Sequence, residues 1–223
     1  MPIFRKGDQY VLFSHVPKTA GVSLYKWFVL NGWDFGNVDA GSEYTSSLCA
    51  SCNYFGNFGI RDPKVSYQHQ KIFYSMKWGF FDTTFVIVRD PLSRLYSEIK
   101  HALYYFSKLP IEASMSEKNY FVSSYLNTVD YEIKSGNLSV RDNHFVRQSD
   151  FLDVSCEVYT FDRYLMEKLA ERFGLAGPCP HLNEARVKFE PDSHTEKLIH
   201  EFVQTHFQTD QACFADSSNR AFL

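Results

Sequence analysis

Apolar positions along the chain fall into short solid runs separated by longer stretches with a period near 3.6. Gln9–Val16 gathers Tyr, Val, Leu and Phe into a run that reads as a short buried strand. Pro17–Gly21 interrupts it. Apolar residues of Val22–Leu30 then recur at helical spacing, and Gly32 is placed as a C-terminal stop. Tyr67–Tyr74 is a further strand candidate. Thr83–Val88, β-branched and strongly apolar, runs into Arg89-Asp90-Pro91, where Asp90 can cap a helix and Pro91 can occupy its first turn. That helix is expected to reach about Lys108, before Pro110. Ser116–Lys134 reads as a helix with Gly136 near its end, Glu157–Phe161 as a third buried strand, and Asp162–Phe173 as an amphipathic helix stopped by Gly174. Asp192–Phe207 is the last amphipathic helix. Strands alternating with helices predict an α/β fold, with a parallel sheet flanked by helices on both faces.

Asp34–Ser66 breaks the pattern. It is rich in Gly, Ser and Asn and shows no sustained period, as in a functional or partly mobile loop. The chain has no internal repeat, and 223 residues suit a single domain spanning 1–223, with insertions at 34–66 and 108–143.

Composition narrows the function classes. Apolar residues make up 44% and charged residues 22%, ordinary globular values. The formal net charge of −3 gives no global attraction to nucleic acid or an anionic membrane, so an anionic ligand must be held by local positive charge. No apolar run approaches the roughly 20 residues that span a bilayer, and the first residues lack a secretory apolar core. A cytoplasmic location is expected if the chain is complete. The five cysteines, an odd number, favour thiols over a disulfide framework. Cys49-Ala-Ser-Cys52 has metal or redox spacing, but no second pair completes a tetrahedral set, and no metal is expected.

Two segments carry chemistry. In His15-Val-Pro-Lys-Thr-Ala-Gly-Val-Ser-Leu24 a strand end turns into a helix start, which aims backbone N–H groups and the positive helix dipole at one point. Ala20 and Gly21 are small enough for an anion to approach the backbone. Lys18 adds a full charge, and Thr19 and Ser23 add hydroxyl groups. Walker A order is absent, because the lysine precedes the glycine. That order suits a phosphate or sulfate held without an obligatory metal. In the second segment, Phe85 to His101, Arg89 stands at the C-terminal end of a buried strand, where ligands of open α/β sheets bind. Ser97 lies about two turns inside the following helix. Arg94 and Lys100 read equally well as solvated surface charges.

Pro-Lys-Thr-Ala-Gly-Val-Ser resembles the 5′-phosphosulfate loop of sulfotransferases that use 3′-phosphoadenosine-5′-phosphosulfate (PAPS). Arg-Asp-Pro-Leu-Ser-Arg-Leu-Tyr-Ser resembles their 3′-phosphate motif. The pattern is most similar to the carbohydrate branch, related to uronyl and heparan 2-O-sulfotransferases. Looser echoes are Tyr67-Gln-His69, Asp142-Asn-His-Phe-Val-Arg147-Gln and Pro180-His-Leu-Asn183.

The resemblance implies a sulfotransferase fold with a P-loop-like sheet, and PAPS as donor with 3′,5′-adenosine bisphosphate (PAP) as product. Lys18, Thr19, Gly21, Val22 and Ser23 would surround the 5′-phosphosulfate, within a stretch completed by Ala20 and Leu24. Arg89 and Ser97 would bind the 3′-phosphate. The acceptor would be a hydroxyl of a carbohydrate or glycoconjugate, contacted from the two insertions, and a trimmed catalytic domain of this branch would belong in the Golgi lumen. Lysine at the leaving group stabilises charge that grows in the transition state. His69 is the expected general base, with His101 and Glu98 as competitors on the Ser97 helix. His144, His181, His194, His200 and His206 are expected as solvated or hydrogen-bonded side chains. Arg147 and Arg186 are weaker candidates for anion contacts. A Mg²⁺-dependent P-loop phosphotransferase and a non-catalytic nucleotide- or glycan-binding module are the alternatives.

Overall fold

The computed structural model describes residues 2–37, 69, 81–137, 141–152, 156–180 and 187–220, with side chains described as far as 215. Strands β1 (Pro2–Lys6) and β2 (Gln9–Ser14) form a hairpin in which Lys6 pairs with Gln9. The two residues left for the turn are Gly7 and Asp8. Gly7 has φ +61°, at the first central position where two-residue hairpins favour glycine. Helix α1 (Gly21–Leu30) follows β2. The chain then turns at Gly32, whose φ is +78°, into β3 (Asp34–Asn37) on the far side of β1. β4 (Thr83–Val88) pairs with β2, and β5 (Glu157–Thr160) pairs with β4, both in parallel.

The sheet order is β3-β1-β2-β4-β5. Because β1 is antiparallel to both β2 and β3, it alone runs against the other four strands. The expected wholly parallel sheet is therefore corrected to a mixed one. A two-residue turn can join only antiparallel strands. β1 and β3 escaped the apolar pattern because β1 ends in Arg5-Lys6 and β3 holds one large apolar residue, Phe35. Most of the Tyr67–Tyr74 strand candidate lies outside the described residues, as do Cys49 and Cys52.

Helix α2 (Pro91–Tyr105) is capped as expected, with the Asp90 carboxylate accepting from the Ser93 N–H at 2.7 Å. It ends short of Lys108, where the N–H groups of Phe106 and Ser107 both turn back to the Ala102 carbonyl. Helix α3 (Met115–Lys134) begins on a Ser114–Glu117 capping box, one residue before the expected Ser116. Helix α4 (Leu165–Phe173) stops at left-handed Gly174. Helices α5 (Ser193–His206) and α6 (Gln208–Arg220) meet at Phe207. α6 was not expected from a sequence rich in Asp, Ser and Gln. No described helix is long and apolar enough to cross a membrane.

One face of the sheet presents Phe4, Val11, Phe13, Phe85 and Ile87 to Leu24, Trp27 and Phe28 of α1 and to Leu165, Leu169 and Phe173 of α4. Each such fully buried side chain contributes roughly 1.5–3 kcal/mol. The other face meets a 3₁₀ turn (Gln148–Phe151) and α6, with Val86 packed against Val16, Val146 and Phe151. Helices α2, α3 and α5 build a second core around Ile99, Leu126, Val129 and Phe202.

Arg94 joins these parts. It is not a solvated surface charge but 2% exposed, with its guanidinium donating to the carbonyls of His144 (3.3 Å) and Val146 (3.1 Å). It also lies 3.5 Å from the buried carboxylate of Asp210 and over the Phe207 ring. Asp210 in turn accepts from the N–H groups of Gln148 (2.9 Å) and Ser149 (3.1 Å). α6 is thus anchored to α2 and to the 144–149 segment through one buried ion pair. Asp210→Ala strands a buried guanidinium and two N–H groups, and should cost about 3–5 kcal/mol in guanidinium denaturation. Adding Arg94→Met should recover part of that loss. A loss under about 1 kcal/mol would show that the pair is not structural.

Candidate functional site

The parallel strands β2 and β4 end side by side, and the residues leaving them form the candidate site. Backbone geometry between β2 and α1 is unusual. Lys18 and Ala20 are not glycines, yet have φ +70° and +67°, each in the left-handed region at a cost of order 1–3 kcal/mol. Turns of this kind direct successive N–H groups into a concavity suited to an anion. α1 starts at left-handed Ala20 with no side-chain cap, so its first N–H groups face the loop. Leu24 is spent on structure: its side chain lies in the core, and its N–H closes the first turn on the Ala20 carbonyl. Thr19 is fully buried, with its hydroxyl donating to the Val16 carbonyl at 2.7 Å. Backbone groups of residues 19 and 21–23 and the Lys18 ammonium are what this loop offers an anion. Ser23 is buried and Val22 half-buried at the start of α1.

Gly21 has a second reason to be glycine. A Cβ there would lie 2.2 Å from His15 Nε2, because the imidazole lies directly against its Cα. His15 is 5% exposed, and its Nδ1 has no hydrogen-bond partner among the described residues.

Arg89 leaves the end of β4 and touches the first motif. Its guanidinium donates to the Lys18 carbonyl at 3.2 Å and lies over the Phe161 ring, 4.7 Å from the centroid. Gln148 clamps its backbone, accepting from the Arg89 N–H and donating to the Arg89 carbonyl, both at 2.8 Å. Ser97 is half-buried, one helical turn before His101 on the same face of α2. None of the described contacts joins it to Arg89.

Beside the loop lies a group of imidazoles and carboxylates. His69 is 5% exposed, and its Nδ1 is 2.7 Å from the Asp142 carboxylate. The His69 carbonyl accepts from the Asn143 side-chain amide at 2.8 Å. Arg141, Asp142 and Asn143 all have φ between +51° and +62°, a left-handed run that presents both side chains to His69. His144 Nδ1 lies 2.5 Å from the Glu98 carboxylate, which also accepts from the Tyr125 hydroxyl at 3.1 Å. The rings of His15 and His69, and of His69 and His144, are 5.0 Å apart, and those of His101 and His144 are 5.4 Å apart.

The charges in this group are coupled. Burial works to raise the Glu98 carboxyl, but His144, Lys18 and His101 together hold it below the usual carboxylate value. Burial lowers the Lys18 ammonium while Glu98 pulls the other way. Burial first, and neighbouring imidazoles second, push His15 well below the usual histidine value. Burial likewise lowers His69 against the pull of Asp142, and brings His101 down to about 4.

Of the expected residues, the fold brings Lys18, Thr19, Gly21, Val22, Ser23 and Arg89 to one strand edge. His69, Glu98 and His101, the three base candidates, fall in one neighbouring group. His144, expected as an ordinary histidine, is its centre. Asp142 and Gln148 were legible only as parts of a loose echo, and His15 only as the first residue of its motif. Arg147 is an exposed partner of Asp150. His181, Asn183 and Arg186 lie outside the described residues. Comparison with family models, curated proteins and solved structures returned no match.

Two outcomes follow from the geometry. Gly21→Ala should destabilise the fold by about 1–3 kcal/mol through overpacking against His15, and His15→Ala in the same chain should relieve much of it. Absence of coupling in that double-mutant cycle would remove the contact. His101 should titrate near pH 4 by NMR. His15, His69 and His101 have folded values below their unfolded ones, so the stability they contribute is present above about pH 6.5 and lost as pH falls towards 4. Glu98, also lowered, adds its own loss below about 4.5. Denaturation midpoints that do not fall between pH 7 and 5 would contradict this.

Proposed function

We propose that the protein is a sulfotransferase that moves a sulfuryl group from PAPS to a hydroxyl, most simply on a carbohydrate or glycoconjugate. The observation that carries the reading is the contact between its two phosphate motifs, with Arg89 Nη1 donating to the Lys18 carbonyl across 71 positions of sequence. Two anion-binding elements that close at one sheet edge suit a donor carrying phosphate at both 5′ and 3′ positions. The resemblance of both motifs to the donor loops of PAPS-dependent enzymes supports the same assignment, including a sulfotransferase type of α/β fold.

In this reading the N–H groups at the start of α1 and the Lys18 ammonium hold the 5′-phosphosulfate, and Arg89 with Ser97 holds the 3′-phosphate. As the acceptor oxygen bonds to sulfur, the bond from sulfur to the bridging oxygen breaks, and Lys18 stabilises the charge left on PAP. Glu98 favours the charged form of Lys18 despite its burial. His69, with Nδ1 held by Asp142, takes the acceptor proton at Nε2. The base needs to be neutral to do so, and burial keeps it neutral at physiological pH.

Calorimetry tests the donor assignment: PAP should bind without Mg²⁺ and ATP should not. Binding of ATP only with Mg²⁺ would overturn the assignment in favour of a phosphotransferase. With labelled PAPS and a glycan panel, Lys18→Ala should lower turnover by about 10²–10³-fold. Arg89→Ala should weaken PAP binding, whereas His69→Ala should abolish transfer but spare it. Turnover at near-normal rate in His69→Ala would move the base to another group.

A further inference from the structure

The imidazole group beside the donor loop is built of residues that also ligate metals. The donor atoms of His69, Asp142 and His144 all lie within 4.8 Å of one another, and so do those of Glu98, His101 and His144. His144 belongs to both sets. Their residues come from three separate places: position 69, the 142–144 turn and helix α2. Only the fold makes them neighbours. His69 and Glu98 are 5% and 2% exposed, while the Asp142 side chain keeps 34% exposure, enough to leave the site open to solvent on one side. A second buried imidazole, His15, with no hydrogen-bond partner at Nδ1 among the described residues, stands with its ring 5.0 Å from that of His69.

We propose that His69, Asp142 and His144 form a binding site for one divalent transition-metal ion of the zinc type. Nitrogen and carboxylate oxygen donors in a set of three, with a further position left open, are the donor chemistry of such an ion. Zinc bonds of about 2.0–2.2 Å place tetrahedral donors roughly 3.4 Å apart, so the His69–Asp142 pair must open slightly and His144 must lie within reach of both, as donors all within 4.8 Å of one another allow. His69 Nδ1 and the Asp142 oxygen already lie 2.7 Å apart. There the ion takes the place of the hydrogen that the pair shares, and that proton moves to Nε2, so His69 stays a neutral imidazole and no proton is lost.

Supporting groups are in place. Glu98, hydrogen-bonded to His144 Nδ1, acts as the outer carboxylate that fixes the orientation and basicity of a ligating imidazole. The left-handed run at 141–143 holds Asp142 and Asn143 onto His69 from its side-chain and carbonyl ends. On the functional reading above, His69 is also the base, so an occupied site is an inhibited one. The ion belongs to control or to stability rather than to the transfer step.

The site is tested by titrating Zn²⁺ into the full chain, freed of metal by chelator and dialysis, in competition with a chromophoric chelator. One ion per chain is expected. Glu98→Gln should weaken binding by about 10–100-fold, and His144→Ala and Asp142→Asn by at least as much. Replacing Cys49 and Cys52 with serine together should leave it unchanged. Because a variant can fail to fold, Co²⁺ is also added to the unaltered protein. Its visible spectrum should show nitrogen and oxygen donors without an intense near-ultraviolet thiolate band. Failure to retain an ion, a thiolate band, or affinity that survives His144→Ala but vanishes with the cysteines would each overturn the proposal. These titrations contain neither PAPS nor acceptor, so their failure leaves the sulfotransferase reading untouched, and failure of that reading leaves them untouched.

Discussion

Ser14 of β2 pairs with Val86 of β4, and the rings of Phe13 and Phe85, stacked 4.7 Å apart, hold that register from the face below. A slip of one residue would turn Phe13 from the aromatic core to the opposite face, so the alignment is strongly specified. It sets Ser14, the last residue of β2, beside the final residues of β4, which runs two residues further to Val88. The loop that follows β2 and the arginine that follows β4 then have no choice but to meet. Gln148 fixes the meeting point by bonding both backbone polar groups of Arg89, which frees the guanidinium to reach the Lys18 carbonyl.

Two arginines five residues apart show how position decides what a charge does. Arg89, at the strand end, keeps partial access to solvent and lies against Phe161. Arg94, on the inner face of α2, is enclosed; its two terminal nitrogens reach two carbonyls and Asp210, while its Nε has no partner among the described residues. A buried cation of this kind adds little net stability but is costly to leave unpaired, which explains why α6 brings Asp210 to it. Glu98 plays the complementary part. It is a buried carboxylate held ionised by His144, Lys18 and His101, and it places negative charge beside the loop that follows β2.

The two short motifs were legible because their chemistry is local. A strand end, small residues and a helix start lie consecutively in His15–Leu24, and Arg89-Asp90-Pro91 carries its own cap. Thr83–Val88 could be read from its apolar run, and the helical segments 22–30, 91–105 and 193–206 from apolar period together with cap, Gly and Pro signals, with ends displaced by a few residues where side-chain caps or carbonyl bonds intervene. β1, β3 and α6 could not. Their identity depends on partners: β1 on a two-residue turn, β3 on an open edge of β1, and α6 on the buried ion pair with Arg94.

The sequence by itself determined the strand–loop–helix units, the order of the two anion motifs and the absence of a global charge bias, since each depends on neighbours within a few residues. Tertiary structure decided that the sheet is mixed, that Gly21 is required by the His15 ring, and that Arg94 is buried. It also gathered His69 and Asp142, and Glu98 and His101, on either side of His144. Those outcomes depend on groups up to 116 positions apart, as between Arg94 and Asp210, and on water being excluded between them. No local pattern of residues encodes either condition, because both arise only when the layers pack.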